Sequence, residues 1–268
     1  MTRSTQTALG LYSIGIRSIS LEDLLALAAN HHIPFLHLRG SPRDFDLASR
    51  DTATLERWAC HSRASAPITA VTADLDLLDL VQPGTLAYRQ ASAEFDLLGH
   101  AAALLGARAV RLLARRVADQ RQWADLAVPN LVARYGLTTL VELHDPAWFT
   151  ARTLASVAAY LDRVPWLALL IDTTQVNCAW QHSDHRDCFA DNLSALVAHT
   201  RAVHLSDSGQ GLTGTGHRVV AQAFGHLGPD DPVEVAFEWT GADRSPQGCL
   251  ARYRRAGEWW RSCLESIR

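Results

Sequence analysis

The chain has 268 residues, of which 48% are hydrophobic and 20% charged, and its formal net charge is -3. That length fits one α/β barrel domain, and the apolar content supports a large core rather than a disordered chain. The weakly acidic balance excludes the basic face that a nucleic-acid partner needs, and because all 25 basic residues are arginine, Schiff-base and lysine general-base chemistry are excluded too.

Leu9 to Ser13 predicts a first strand, and Ser20 ahead of Glu22 and Asp23 predicts a capped helix over Leu21 to His32. Ile33 to Arg39 reads as strand two, with Phe35, His37 and Arg39 on one face, and Thr52 to Ser65 as the helix after it. Pro67 to Thr72 is strand three, followed by an irregular loop, a helix from about Gln90 to Leu105, and Gly106 as its C-cap. Ala109 to Leu113 is strand four, with Arg111 facing opposite to Val110 and Leu112, and one helix is expected over Asp119 to Tyr135.

The second half repeats one design. Leu137 to Asp145, Leu167 to Gln175, Arg201 to Asp207 and Val233 to Trp239 are apolar runs that each stop at an ionisable residue: Glu142, Asp172, His204 and Glu238. Helices are expected at Trp148 to Leu161, Asp187 to His199, Val219 to Leu227 and Leu250 to Glu265. Strict alternation of eight strands with eight helices predicts parallel strands, right-handed crossovers and a closed (β/α)8 barrel, with residues 1–268 forming a single domain.

The five cysteines are odd in number and lack CxxC spacing, and no leader pattern or apolar run of roughly 18 to 20 residues is present. These features predict a cytoplasmic protein with reduced thiols and no membrane partner. A small molecule is the expected partner, and homo-oligomerisation is left open.

In a barrel the active site lies at the carboxyl ends of the strands. By parity Glu142 shares a face with Leu140, Asp172 with Ala168 and Leu170, His204 with Ala202, and Glu238 with Glu234 and Ala236, so all four point inward. Three carboxylates and one imidazole suit a hard or borderline divalent ion, and such groups would be costly to bury without one. Arg39 and Arg111 share the inward parity and suggest an acidic group on the substrate, or acidic neighbours within the chain. His144, two residues past Glu142, can orient substrate, act as a general acid, or fix Glu142 by a hydrogen bond. The pairs His31–His32 and His182–His185 lack further ligands and read as solvent residues.

The order E-x-H (Glu142, His144), D-x-x-Q (Asp172, Gln175), H-x-x-D (His204, Asp207), a G-x-G at Gly214 to Gly216, and a last-strand Glu238 resembles the xylose isomerase-like superfamily of sugar isomerases and epimerases over nearly the whole chain. The resemblance implies one divalent ion, manganese first with cobalt, magnesium or zinc as substitutes, on Glu142, Asp172, His204 and Glu238. It also implies that Glu142 and Glu238 exchange the substrate proton. The chain departs from the epimerases at Gln175, Gln210 and Trp148, where they often carry histidine, arginine and an acidic residue; Gln175 and Trp148 are expected, with Arg39 and Arg111, to contact the substrate. The expected function is a metal-dependent isomerase or epimerase that abstracts a proton next to a carbonyl of a sugar-like molecule. The alternatives are a dehydratase of the 3-dehydroshikimate or inosose type, from which Ser206 departs by replacing a common lysine, and a non-catalytic ligand-binding barrel.

Overall fold

The computed structural model describes residues 8–184, 186–225 and 233–267. Its strands are β1 (Leu9–Tyr12), β2 (Leu36–Arg39), β3 (Ile68–Asp76), β4 (Ala109–Ala114), β5 (Thr138–Leu143), β6 (Leu167–Asp172), β7 (Thr200–Asp207) and β8 (Glu234–Trp239). They pair in chain order, all parallel, and β8 returns to β1 to close the barrel. The expected barrel is therefore the one observed.

The helices are α1 (Leu21–Asn30), α2 (Thr52–Ala64), α3 (Leu86–Leu105), α4 (Gln120–Asp125), α5 (Leu131–Tyr135), α6 (Ala151–Leu161), α7 (Thr173–His182), α8 (Phe189–Ser194), α9 (Thr215–Gly225) and α10 (Pro246–Ile267). Their caps show why they begin where they do. Ser20, Asp51, Thr85 and Thr150 each accept a hydrogen bond from the third residue on, which satisfies an N–H that the helix itself leaves free. Gly106 ends α3 in the left-handed region at φ 79°, as its C-cap role requires.

Four local expectations are corrected. The loop expected after Thr72 is instead more of β3, which runs to Asp76, where the side chain caps the next turn through Leu78 N. The helix expected over Asp119 to Tyr135 is two short helices, because Pro129 cannot donate a backbone hydrogen bond and Asn130 starts α5 afresh by capping Ala133 N. The stretch Asp187 to His199 is likewise broken into 3-10 turns flanking α8. Most consequential is the segment after Asp172: the strand ends there as expected, but no helix was expected before Asp187, and α7 begins at once, the Asp172 carboxylate accepting from Gln175 N. The expected helix end at Leu227 and the residue His185 lie outside the described residues.

Two apolar layers hold the barrel. The outer one lies between strands and helices and includes Leu11, Leu38, Val110, Ile171 and Phe237. The inner one is small: Ala70, Ala109, Leu140, Ala168, Leu170 and Ala202 fill the interior beneath the mouth. These are the residues whose parity matches the inward set, so the polar groups one step further along each strand are carried into the same interior.

The G-x-G after β7 has a steric origin. Gly216 N donates to Asn177 Oδ1 at 3.1 Å, and a Cβ added at Gly216 would fall on the Asn177 backbone, so α9 packs directly on α7. Gly216→Ala is expected to force the two helices apart and to cost about 1–3 kcal/mol, read as a lowered midpoint in chemical denaturation; an unchanged midpoint would show that the contact is dispensable.

Candidate metal centre and active site

Three neighbouring strands deliver the centre. Asp172 ends β6, His204 lies across from it on β7, and Glu238 lies across from Ser206 on β8. One ligand atom from each of Asp172, His204 and Glu238 falls within 4.8 Å of the others. His204 Nδ1 lies 3.1 Å from Glu238 Oε2, and the Ser206 hydroxyl bridges the two carboxylates, donating to Asp172 Oδ2 or to Glu238 Oε2. Tyr12 stacks on the His204 ring at 4.7 Å between centroids and holds it in one plane.

The electrostatics of this group ask for a cation. Burial first, then the charges of Glu238 and Glu142, push the Asp172 carboxyl well above its ordinary range. Burial and the Glu142 charge raise Glu238 to about 7. Burial and the neighbouring His37 push His204 well below its ordinary value, so the imidazole is neutral and keeps a lone pair. Two crowded, buried carboxyls beside a neutral imidazole form a donor set that fits a hard or borderline divalent ion, which would relieve the repulsion.

Glu142, the fourth expected ligand, stands apart from the triad. Burial alone would raise its pKa, but the Arg111 guanidinium, with help from His144, holds it at about 2. Arg111 Nε lies 3.0 Å from Glu142 Oε2, and His144 Nδ1 lies 3.0 Å from Glu142 Oε1. Of the three roles open to His144, the hydrogen bond to Glu142 is the one visible; the half-exposed ring is raised in pKa chiefly by that bond. The arrangement keeps one carboxylate ionised at the mouth while its neighbours are driven towards neutrality.

The expected substrate contacts fare differently. Arg111 is buried and donates to Ala73 O at 2.8 Å and Tyr12 Oη at 3.2 Å besides pairing with Glu142. Arg39 pairs with Asp44 at 3.0 Å and Asp74 at 2.7 Å. Both therefore have acidic partners within the chain, the second of the two readings their parity allowed. Gln175 sits half-buried on the first turn of α7, where its backbone N–H caps Asp172. Trp148 is not at the mouth: it is fully buried, donates Nε1–H to Ala114 O at 2.7 Å, and meets Trp123 edge-on, because the 3-10 turn at Pro146–Phe149 folds it into the core. Gln210 is exposed, and Asp207 shapes the loop beside it by accepting from Gly209 N and Gly211 N. His31, His32 and His182 are exposed, as expected.

Sequence reasoning assigned no role to Tyr12, His37, Ser206 or Glu234, all of which touch the centre or its neighbours. Inward parity placed His37 with Phe35 and Arg39, and Glu234 with Glu238, so the signal existed; neither sits at the carboxyl end of its strand, where a site is sought. For Ser206 and Tyr12 only the closed barrel brings the partners together.

Glu142 ionises more readily in the folded chain than its ordinary value of 4.5, so its pair with Arg111 stabilises the fold above that pH and loses this effect as pH falls towards about 2. Arg111→Gln strands a buried carboxylate and is expected to cost about 3–5 kcal/mol at neutral pH. Thermal melts of both proteins should show the gap narrowing below pH 4.5; a gap independent of pH would refute the pairing.

No protein-family model matches the chain, and no curated protein matches it in sequence. Solved structures do match its fold. They include a xylose isomerase domain containing protein from Salmonella typhimurium LT2 (14% identity, TM-score 0.68, 97% of this chain and 99% of that one). Others are an L-ribulose 3-epimerase (16%, 0.71, 97% and 95%) and the probable 3-DHS dehydratase AsbF from Bacillus anthracis (16%, 0.65, 92% and 98%). Identities this low speak to architecture rather than reaction, and the coverage at both ends is nearly complete. The chain is thus a single (β/α)8 barrel with the xylose isomerase-like fold.

Proposed function

We propose that the protein is a divalent-metal-dependent enzyme that abstracts a proton next to a carbonyl of a sugar or sugar-like small molecule, with isomerisation or epimerisation as its outcome. The observation that carries this reading is the triad of buried Asp172 and His204 with partly exposed Glu238 on three adjacent strands, with Glu142 held ionised beside it. A purely structural role would leave those carboxyls crowded for no gain. The donors suit a hard or borderline divalent ion; the resemblance to the sugar epimerases makes manganese the first candidate, with cobalt, magnesium or zinc as substitutes.

When bound, the ion would supply Lewis-acid polarisation of substrate oxygens, which acidifies the C–H between them. The rest is done by the chain. Arg111 keeps Glu142 ionised and His144 fixes its Oε1, so Glu142 is held as the proton acceptor of the pair. Glu238, on β8, is the second carboxyl at the mouth and gives the proton back. Ser206 holds Glu238 against Asp172, which keeps both oxygens directed at the mouth. Delivery of a proton to the opposite face of the same carbon gives epimerisation, and delivery to the neighbouring carbon of the enediolate gives isomerisation. Loss of a β-hydroxyl after the same abstraction would be the lyase outcome, the chemistry in the name of the AsbF neighbour.

The fold has no helix among its described residues long and apolar enough to cross a membrane, and all five cysteines are free thiols. A cytoplasmic location is part of the proposal.

Two measurements test it. After stripping and reconstitution with manganese, metal analysis should find one ion per chain, lost in Asp172→Ala and His204→Ala; a protein that stays empty with manganese, cobalt, magnesium and zinc alike would end the metal reading. Keto-sugars offered in deuterated water should take up deuterium, with exchange falling about 100-fold or more in Glu142→Gln. Exchange that survives in both Glu142→Gln and Glu238→Gln would move the acid–base role to His144, and turnover without any exchange would favour a hydride shift.

A further inference from the structure

The barrel interior holds a second line of polar groups beneath the triad. Arg108, just before β4, pairs with Glu234 at the start of β8, and Glu234 Oε2 lies 3.1 Å from His37 Nε2. His37 has no exposed surface, and its other nitrogen, Nδ1, lies 2.9 Å from His204 Nε2. From there His204 Nδ1 faces Glu238. The line enters the closed barrel opposite the mouth and ends in the candidate metal centre. Such a series of polar side chains in an interior otherwise filled with alanine and leucine needs a reason.

The chemistry of the donors sets its direction. Burial, the largest influence, would raise the Glu234 pKa, but His37, Thr69 and Arg108 together outweigh it and hold the group below its ordinary value, an acceptor at both oxygens. His37 Nε2 must then carry the proton and donate. With its ring proton on Nε2, His37 turns the Nδ1 lone pair to His204 as an acceptor, so the one proton in the 2.9 Å contact between the two rings is placed on His204 Nε2. Neutral His204 is left with its lone pair at Nδ1, on the side of Glu238 and Asp172. Without the relay, His204 could as well protonate Nδ1 and donate to Glu238, and the lone pair would point away from the triad.

We propose that Glu234 and His37 are positioning residues that fix the tautomer of His204, so that Nδ1 presents its lone pair to a divalent ion at the mouth. The proposal rests on the metal reading of the triad, but the tautomer exists in the apo protein and is read there without any metal. Neither residue touches the substrate position; both act through His204.

The test uses the full chain labelled with 15N-histidine, the His204 signals being identified by their loss in His204→Gln. Wild-type apo protein should show His204 protonated at Nε2. His37→Leu removes the acceptor and should give a mixed or Nδ1-protonated ring, with manganese binding weaker by about 10–100-fold, followed by the EPR signal of free Mn2+. His37→Gln puts an amide oxygen within reach of His204 Nε2 and should restore both the tautomer and most of the affinity. Glu234→Ala, at a partly exposed position, frees His37 to adopt either tautomer and should mix the His204 signal even if His37→Leu does not fold. An Nδ1-protonated His204 in wild type would overturn the proposal. So would an unchanged His204 signal in Glu234→Ala, or a His37→Gln protein as weak in manganese binding as His37→Leu. Wild type that shows the expected tautomer yet binds no manganese would instead overturn the metal reading alone.

Discussion

Closing eight parallel strands sends every second side chain into one narrow interior, and that interior has no room for uncompensated charge. The small side chains of Ala70, Ala109, Ala168 and Ala202 leave space for larger polar groups around them. Each ionisable residue carried inward must then find a partner across the barrel rather than along its own strand. Glu142 finds Arg111 from the adjacent strand, His37 finds His204 and Glu234 from far along the chain, and Tyr12 finds Thr72 at 2.7 Å. What is left without a protein cation is Asp172 with Glu238, and this residue of imbalance marks the centre.

The same constraint divides the carboxylates into two kinds. Glu142 keeps its charge because a guanidinium lies against it, whereas Asp172 and Glu238 are driven towards their neutral forms by burial and by each other. Carboxyl groups in one cavity with opposite pKa tendencies are how a fold separates acid and base roles at a single pH. The separation here is made by one arginine on β4, buried against the Ala73 carbonyl and the Tyr12 hydroxyl.

Much of this was legible in the chain itself. Period-two parity placed Glu142, Asp172, His204 and Glu238 inside, because strand geometry leaves little freedom once the apolar run is recognised. The barrel followed from the alternation of strands and helices. What parity does not contain is distance across the barrel. It could not say whether Arg39 and Arg111 would meet a ligand or the chain's own acids, and it could not separate Glu142 from the triad. Trp148 was misplaced for a different reason: three residues beyond a strand, a 3-10 turn led by Pro146 decides direction, and hydrophobic burial of an indole prevails over its position near the mouth. Likewise α7 was hidden because Asp172 serves at once as the last strand residue and as the N-cap of a helix, two signals superimposed on one side chain.

That double duty ties the centre to the outside of the molecule. Asp172 turns its Oδ1 to the first turn of α7, α7 carries Asn177, and Asn177 is clasped by the glycines that open α9. Barrel enzymes are commonly remodelled by exchanging one βα loop at a time, on the premise that each is an independent module. Here the connections after β6 and after β7 are interlocked through backbone contact, so they would have to be transplanted as a pair, and a homologous loop lacking the matching glycines would disturb Asp172 without touching it.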